Sequence, residues 1–307
     1  MDFGSRALES YATAFTQAMS PFRNGNRLKI VVDYGFGRLS SVFPAILAGL
    51  DWDVVALNAY VDTKRIPTTR IERQKLQRKI GDVVVALHAD AGLFMDTDGE
   101  RFTLVDETGA VVDGCSLLAL YARLFALRRP GAKIAVPVIA PAAIDQLVRD
   151  VGCDVVRTKA DTRMLVAAAR SGSVALAGDT DGGFVCPEFH PALDAMFACS
   201  KLLGMIAASG QTVSALLSES PRFWMARQLV ECHAEHKGKV MRVLAEGEQG
   251  SAADYTDGIK VTHEHGWVLA LPDPSEPCFH VFAEGLSLAE AQALAHECCN
   301  RIRDIAA

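Results

Sequence analysis

The first 128 residues alternate short apolar runs with longer stretches in which apolar residues recur at helical spacing. Leu28–Asp33 and Asp53–Leu57 are short and rich in β-branched residues, which predicts strands, and Gly81–Leu87 is predicted as another strand on the same grounds. Ser5–Met19 and Gly114–Arg128 show the spacing of amphipathic helices. Strands that alternate with helices predict an α/β layer architecture.

A second alternating series follows, and the last third of the chain changes character. Its three short strands are not separated by helices, which predicts an antiparallel sheet, and Ser287 with Glu290 three residues later predicts the start of a final helix. The strands predicted in these two regions are 133–138, 154–157, 174–177, 258–262, 267–271 and 279–284.

The pattern therefore predicts an α/β fold: two consecutive α/β three-layer domains with mixed sheets, followed by a smaller α+β domain with an antiparallel sheet. A chain of 307 residues exceeds one ordinary core, since domains usually contain about 100–150 residues. We place the domains at residues 1–110, 111–219 and 220–307.

Composition and charge exclude several classes of protein. The net charge is −6, so no large positive field exists to hold nucleic acid, and no apolar run of about 18 residues exists to cross a membrane. The N-terminal residues lack the basic-then-apolar pattern of a signal peptide, which predicts a cytoplasmic protein. The eight cysteines contain no Cys-x-x-Cys pair, which argues against a zinc ribbon or a disulfide framework.

One acidic loop between two apolar runs has candidate metal ligands. Asp96, Asp98 and Glu100 occupy alternate positions, and their oxygens are ligands that Mg²⁺ accepts. A solvated hairpin turn is the alternative, because Asp-Gly is a common turn sequence. The spacing leaves both interpretations open.

Two further loops contain polar residues that favour binding without defining it. Gly178–Gly183 has glycines that allow close approach of a ligand to the backbone, with acids that could bind sugar hydroxyls. The residues by themselves favour a tight connection between two elements over a binding loop. Leu271–Pro277 indicates by itself only a loop. A zinc site among His233, His236 and their neighbours, and a dinucleotide site at Gly35–Gly37, are weaker alternatives because the ligand spacing and the third glycine are missing.

In their order along the chain, the three loops resemble those of the phosphomannomutase/phosphoglucomutase family. Asp96–Arg101 matches the family's Asp-x-Asp-x-Asp-Arg magnesium loop, with Glu100 at the third aspartate and Arg101 as a phosphate contact. The sugar-selecting loop corresponds to Gly178–Gly182, where Asp179, Asp181 and Gly182 are the candidate substrate ligands. The resemblance implies weak Mg²⁺ binding and a hexose phosphate ligand.

The phosphate loop of that family is altered here. The family's Arg-Pro-Ser-Gly-Thr-Glu-Pro sequence corresponds to Leu271–Pro277, and His280 stands where the family has a second arginine. Asp273 adds negative charge, so Asp273, Ser275 and His280 are expected to form a degenerate phosphate loop. The family's phosphoserine domain has no counterpart before Met1, which implies that the chain has no catalytic serine.

Several segments, including Phe184–Phe189 and Lys237–Met241, resemble in sequence the mutase-like region of bacterial mannose-1-phosphate guanylyltransferases. We therefore expect a module of sugar-nucleotide synthesis of the GDP-mannose type, impaired alone, whose partner is a mutase domain or a nucleotidyltransferase. The alternatives are a mutase half completed by a missing domain, a structural or oligomerising module, and a metal-dependent hydrolase that uses Asp96 and Asp98.

Overall fold

The computed structural model of the protein describes residues 3–22, 27–247 and 253–306. The chain divides into two units. The first comprises Met1–Val136, Ala143–Val156 and Thr162–Pro221. The second comprises Pro137–Ala142, Arg157–Asp161 and Arg222–Ala307. Within the described ranges, no helix combines the length and the apolar character needed to span a membrane.

The first sheet has the strand order β2-β1-β3-β4. β1 pairs in parallel with β2 and β3, and β4 is antiparallel to β3, so the sheet is mixed. β3 is buried along its whole length, as expected of a strand covered on both faces. The elements of this part are α1 (Phe3–Ala18), β1 (Lys29–Asp33), α2 (Phe43–Leu47), β2 (Asp53–Leu57), α3 (Arg70–Leu87), β3 (Ala91–Met95) and β4 (Phe102–Val105).

A second mixed sheet follows with the strand order β6-β5-β7-β8-β9. β5 and β7 are parallel, whereas β8 is antiparallel to both of its neighbours. The elements are α4 (Gly114–Arg128), β5 (Lys133–Pro137), α5 (Ala143–Arg149), β6 (Asp154–Thr158), α6 (Thr162–Arg170), β7 (Leu176–Gly178), β8 (Phe184–Cys186), β9 (His190–Leu193), α7 (Ala195–Ser209) and α8 (Val213–Ser218).

The third sheet is antiparallel throughout its central strands, with the order β10-β14-β13-β12-β11. Burial alternates strictly along β14, because one face packs on the core and the other lies towards solvent. The elements are β10 (Trp224–Glu231), α9 (Ala234–Gly247), β11 (Ala253–Asp254), β12 (Ile259–His263), β13 (Gly266–Pro272), β14 (Cys278–Gly285) and α10 (Leu288–Ala306). The predicted fold class is confirmed; the three domain boundaries stay a prediction.

One predicted strand is wrong. Gly81–Leu87 is the second half of helix α3, which begins at a capping box formed by Thr69 and Glu72. Ile80 and Val84 are fully buried and lie on one face of the helix, whereas Val85 is 49% exposed. Packing of that face against the first sheet outweighs the β-propensity of three consecutive valines.

Ser287 caps the final helix as predicted. The backbone N–H of Glu290 donates to Ser287 Oγ at 3.2 Å, and the Glu290 carboxylate accepts from the N–H of Leu286 at 2.9 Å. The first of these bonds satisfies a donor that the first helical turn leaves without an intrahelical partner. The structure therefore begins α10 where the sequence placed it.

Gly114 lets the first turn of α4 approach the backbone of the 178–183 loop. A Cβ atom at this position would lie 1.7 Å from Thr180 O, whereas a Cβ on Gly238 in α9 would meet no atom within 4 Å. We expect Gly114→Ala to lower the free energy of unfolding by about 1–3 kcal/mol through overpacking. The matched variant Gly238→Ala should raise it by about 0.5–1 kcal/mol through helix propensity.

Urea unfolding followed by circular dichroism measures both changes. Equal effects of the two substitutions would contradict the close contact at Gly114.

Candidate functional site

Two loops of the first unit meet edge to edge. Asp96–Arg101 connects β3 to β4, and 178–183 connects β7 to β8. Arg101 and Gly183 form an isolated antiparallel bridge, and the N–H of Phe102 donates to Gly182 O at 3.1 Å. Gly182 has a φ of +86°, and a Cβ there would lie 2.1 Å from Phe102 O. Glycine is therefore required at this contact.

Arg101 joins the side chains of the two loops. Its Nε and Nη2 donate to Asp179 Oδ2 at 3.2 and 3.1 Å, and Nη2 also donates to Thr162 Oγ1 at 3.1 Å. The Arg101 side chain is 30% exposed and that of Asp179 is 14% exposed, so the ion pair is largely shielded from water. Such a charge-assisted pair is stronger than one on the open surface.

Asp179 also organises its own loop. Its Oδ1 accepts from the backbone N–H groups of Asp181 at 2.8 Å and Gly183 at 2.7 Å. Burial raises the pKa of this carboxyl, while the Gly183 N–H and the Arg101 charge act in the opposite direction. Both oxygens of Asp179 are thus engaged within the protein. Its predicted role as a sugar ligand stays a prediction.

The acidic loop has suitable oxygen donors for Mg²⁺, but they do not converge. Asp96 Oδ1 accepts from the N–H of Glu100 at 3.0 Å, and burial with the nearby Asp98 charge raises the pKa of Asp96. Glu100 lies 3.6 Å from the Arg101 guanidinium, and Asp98 is exposed. The described residues include one set of three donors within 4.8 Å of one another, and it contains none of these carboxylates.

Beside these loops lies a cleft of about 650 Å³ with a mixed charge. Helix α3 lines it with Arg70, Arg73, Gln74 and Gln77, a spacing that places all four on one helical face. The other lining residues are Phe94, Asp96, Arg101, Phe102, Thr103, Val111, Val112, Asp113, Gly114, Leu117, Thr180, Asp181 and Gly182. Two predicted ligand residues, Asp181 and Gly182, therefore face the same space as Asp96 and Arg101.

The altered loop between β13 and β14 lies in the second unit. Asp273 Oδ1 accepts from the backbone N–H groups of Ser275 at 2.8 Å and Glu276 at 2.7 Å, and Oδ2 lies 2.8 Å from His280 Nε2. The Glu276 N–H, then His280 and the Ser275 N–H, lower the pKa of Asp273. Arg227 Nη2 lies 3.2 Å from His280 Nδ1. The Asp273 carboxylate therefore occupies two backbone N–H groups of its own loop.

Two adjacent segments match profiles of one protein family. Residues 9–109 match "Phosphoglucomutase/phosphomannomutase, alpha/beta/alpha domain II", and residues 113–223 match domain III of the same family. The chain belongs to the phosphoglucomutase/phosphomannomutase family. The resemblance drawn from the three loops is thereby confirmed at the level of the family.

Curated relatives of this mutase family align with most of the chain. A "Probable phosphoglucosamine mutase" of Methanopyrus kandleri is 32% identical over 286 residues, which are 91% of this chain and 62% of the relative. A "Phosphoglucomutase/phosphomannomutase" of Thermococcus kodakarensis is 30% identical over 267 residues, 86% of this chain and 58% of the relative. The chain therefore spans about three fifths of these mutases.

Solved mutase structures share the fold of the whole chain. A phosphoglucomutase/phosphomannomutase family protein from Burkholderia thailandensis has a TM-score of 0.82 at 21% identity and covers 98% of this chain and 65% of its own. N-acetylphosphoglucosamine mutase of Aspergillus fumigatus, solved with GlcNAc-6P and magnesium, has a TM-score of 0.73 at 14% identity, covering 97% and 66%.

The sequence analysis did not identify the α3 residues that line the cleft. Arg70, Arg73, Gln74 and Gln77 follow the Thr69–Glu72 capping box, and their i, i+3, i+4, i+7 spacing was available as a signal. The incorrect strand prediction at 81–87 hid this signal. The four polar residues form a stripe only on a helix that begins at residue 70.

Removing Arg101 should destabilise the first unit. In Arg101→Met the buried Asp179 carboxylate loses its cationic partner, and we expect a loss of about 1–3 kcal/mol near neutral pH. Because the pKa of Asp179 is raised, the penalty should grow as pH rises through that pKa and shrink on acidification, when a proton neutralises the carboxylate.

Urea unfolding of Arg101→Met, Asp179→Asn and the double variant between pH 5 and 8 tests this. The double variant should be less destabilised than the sum of the two single variants. Strict additivity would contradict the coupling.

Proposed function

We propose that these 307 residues form the hexose-phosphate-binding part of a phosphohexomutase, and that they do not catalyse phosphoryl transfer by themselves. The main support for this proposal is the cleft of mixed charge, which lies where the acidic loop Asp96–Arg101 meets the 178–183 loop. The complete reaction, an intramolecular transfer between the 1- and 6-positions of a hexose, would need a phosphoserine domain from a longer chain or another one.

The arginines of the cleft support a phosphorylated ligand. Arg70 and Arg73 are exposed on one face of α3, so their guanidinium groups are accessible to an anion. Arg101 is committed to Asp179 and Thr162, which makes it a positioning residue more than a free phosphate contact. Arginine forks bind phosphate bidentately, and each such contact is stronger than a neutral hydrogen bond.

The sugar hydroxyls would face the acidic side of the cleft. Thr180 and Asp181 lie on the 178–183 loop, and Gly182 of the same loop brings the backbone close to the cleft. Carboxylates and backbone carbonyls accept hydrogen bonds from hydroxyl groups, and a glycine leaves room for a ring to approach. In this arrangement Asp179 supports the loop from behind while Asp181 contacts the sugar.

The hydroxyl groups that line the cleft support impaired catalysis. Among the described residues that line it, the hydroxyl groups belong to Thr103 and Thr180, and Thr103 Oγ1 already accepts from Gln77 at 2.9 Å. A mutase of this type needs a hydroxyl that carries the phosphoryl group between two positions of the sugar. The cleft would bind and orient the substrate for a carrier supplied from elsewhere.

The loop Leu271–Pro277, which corresponds to the family's phosphate loop, is also proposed to be impaired. A phosphate that used the N–H groups of Ser275 and Glu276 would have to displace the Asp273 carboxylate, which already accepts from both. Like charges at 4 Å repel by about 4 kcal/mol at an effective dielectric of 20. We infer that this loop contributes little to holding a hexose phosphate.

Asp96, Asp98 and Glu100 are the residues that would hold Mg²⁺. Their oxygens suit a hard cation, and the ion would neutralise charge on a transferring phosphoryl group. The Aspergillus mutase contains magnesium, which favours this cofactor for the family fold. Because Glu100 is near Arg101 and the three carboxylates do not converge, we propose weak binding that requires a bound phosphate.

Glucosamine phosphate and mannose phosphate are the candidate ligands. The Methanopyrus relative is named a phosphoglucosamine mutase and the Thermococcus relative a phosphoglucomutase/phosphomannomutase. The connection to GDP-mannose synthesis and to a guanylyltransferase partner rests on the sequence resemblance alone. A cytoplasmic location fits phosphorylated sugars, which do not cross membranes unaided.

Calorimetric titration of the purified chain with glucosamine 6-phosphate, mannose 6-phosphate and mannose 1-phosphate, with and without Mg²⁺, tests the proposal. Two arginine contacts of about 1.5–3 kcal/mol each correspond to a Kd on the order of millimolar. The double variant Arg70→Ala/Arg73→Ala should weaken binding at least about tenfold. Arg78→Ala, an exposed arginine of α3 outside the cleft, should leave it unchanged.

The proposed binding site is wrong if the chain shows no saturable binding of any of these hexose phosphates. It is also wrong if the double variant and Arg78→Ala bind them equally well. Turnover of hexose phosphate by the purified chain alone, measured by ³¹P NMR, would instead contradict the proposed impairment. The two parts of the proposal are therefore tested separately.

A further inference from the structure

Three different metal-donor groups converge on the outer face of the third sheet. One oxygen of Asp273, the sulfur of Cys278 and one ring nitrogen of His280 all lie within 4.8 Å of one another, and each residue is partly buried. Cys278 is a free cysteine. This set belongs to the second unit and is independent of the proposed sugar binding.

The fold explains why the three residues meet. Cys278 and His280 are two positions apart in β14, so their side chains lie on the same face of the strand. The register pairs Pro272 with Phe279, and the intervening turn returns Asp273 to the neighbourhood of both side chains. The Asp273 N–H donates to Cys278 O at 3.0 Å, which closes the turn.

The turn is held rigidly from both sides. Lys237 Nζ donates to the carbonyl oxygens of Asp273 and Glu276, each at 2.5 Å, and Asp273 Oδ1 accepts the two N–H bonds described above. These bonds leave Asp273 Oδ2 directed to His280. A preorganised set of donors loses less conformational entropy on binding an ion than a flexible one.

We propose that Asp273, Cys278 and His280 bind one transition-metal ion of the zinc type. Thiolate, imidazole and carboxylate are the ligands of Zn²⁺, whereas Mg²⁺ prefers oxygen alone. Three protein ligands leave a fourth position for water, as in open zinc sites. The ion would therefore differ in chemistry from the one expected at Asp96, Asp98 and Glu100.

Arg227 competes with the metal. Its Nη2 faces His280 Nδ1 at 3.2 Å, so in this state Nδ1 accepts and Nε2 carries the proton that bonds Asp273. Metal binding at Nε2 requires that proton to move to Nδ1 and the Cys278 thiol to release its proton to solvent. Arg227, whose Cζ lies 5.3 Å from the centroid of the Phe282 ring, would then have to turn its Nη2 away from the protonated Nδ1.

Cobalt titration of the reduced full chain tests the site, since a thiolate bound to Co²⁺ gives a charge-transfer band in the near ultraviolet. We expect one Co²⁺ per chain, displaced by one equivalent of Zn²⁺ and not by excess Mg²⁺. Cys278→Ser should abolish the band, and His280→Gln should weaken binding by about 100-fold or more, since even outer-shell partners contribute 10–100-fold. Cys115→Ser, a change at another partly buried cysteine that forms no disulfide, should keep the band.

Arg227→Gln provides a second, opposite readout. The Gln carbonyl can accept the Nδ1 proton that a guanidinium cannot accept, so the substitution should tighten Co²⁺ binding by about tenfold, the lower end of the effect of such outer-shell acceptors. A merely adventitious thiolate site would not respond to this substitution. The proposal is overturned if the wild-type chain gives no band at millimolar Co²⁺, if Cys278→Ser retains it, or if Arg227→Gln weakens binding while its circular dichroism spectrum is unchanged.

Discussion

The ion pair between Arg101 and Asp179 is the interaction on which the first unit's site depends. One guanidinium ties the end of the acidic loop to the glycine-rich loop, and the same carboxylate fixes the backbone of Gly183. Because both side chains are mostly shielded from water, neither charge can be removed without leaving the other in a low-dielectric environment. The relative position of the two loops is thereby determined electrostatically.

Close backbone contacts reinforce that position. Gly182 lies against Phe102 O, and Gly114 lies against Thr180 O, at distances that no side chain could occupy. Polar groups from three elements consequently surround one cleft: the α3 stripe, the acidic loop and the glycine-rich loop. Arg101 and Asp179 bind each other and fix the two loops. Arg70, Arg73 and Asp181 are exposed and are therefore accessible to a ligand.

Local sequence patterns predicted most of the fold because they matched the final environment of each segment. Asp53–Leu57 and Gly114–Arg128 have the predicted bounds. The failure at 81–87 arose because three valines favour a strand locally, whereas the capping box and the burial of Ile80 and Val84, which decide the outcome, depend on residues outside that window.

The site was accessible to sequence reasoning only where a motif is contiguous. The three loops were located, but spacing could not reveal that Asp179 is occupied by Arg101, since the partners are 78 positions apart. The set of Asp273, Cys278 and His280 was likewise hidden, because it depends on the hairpin register. Side chains that meet through tertiary packing leave no periodic trace in a single sequence.

The bonded carboxylate of Asp273 has a consequence for any soluble anion. Because Asp273 is covalently part of the loop that supplies the Ser275 and Glu276 N–H groups, it is present there at an effective concentration on the order of millimolar or higher. A diffusing phosphate at cellular concentrations meets a competitor that never dissociates from the chain. An anion that needs these two N–H groups would therefore have to displace a carboxylate of the same chain.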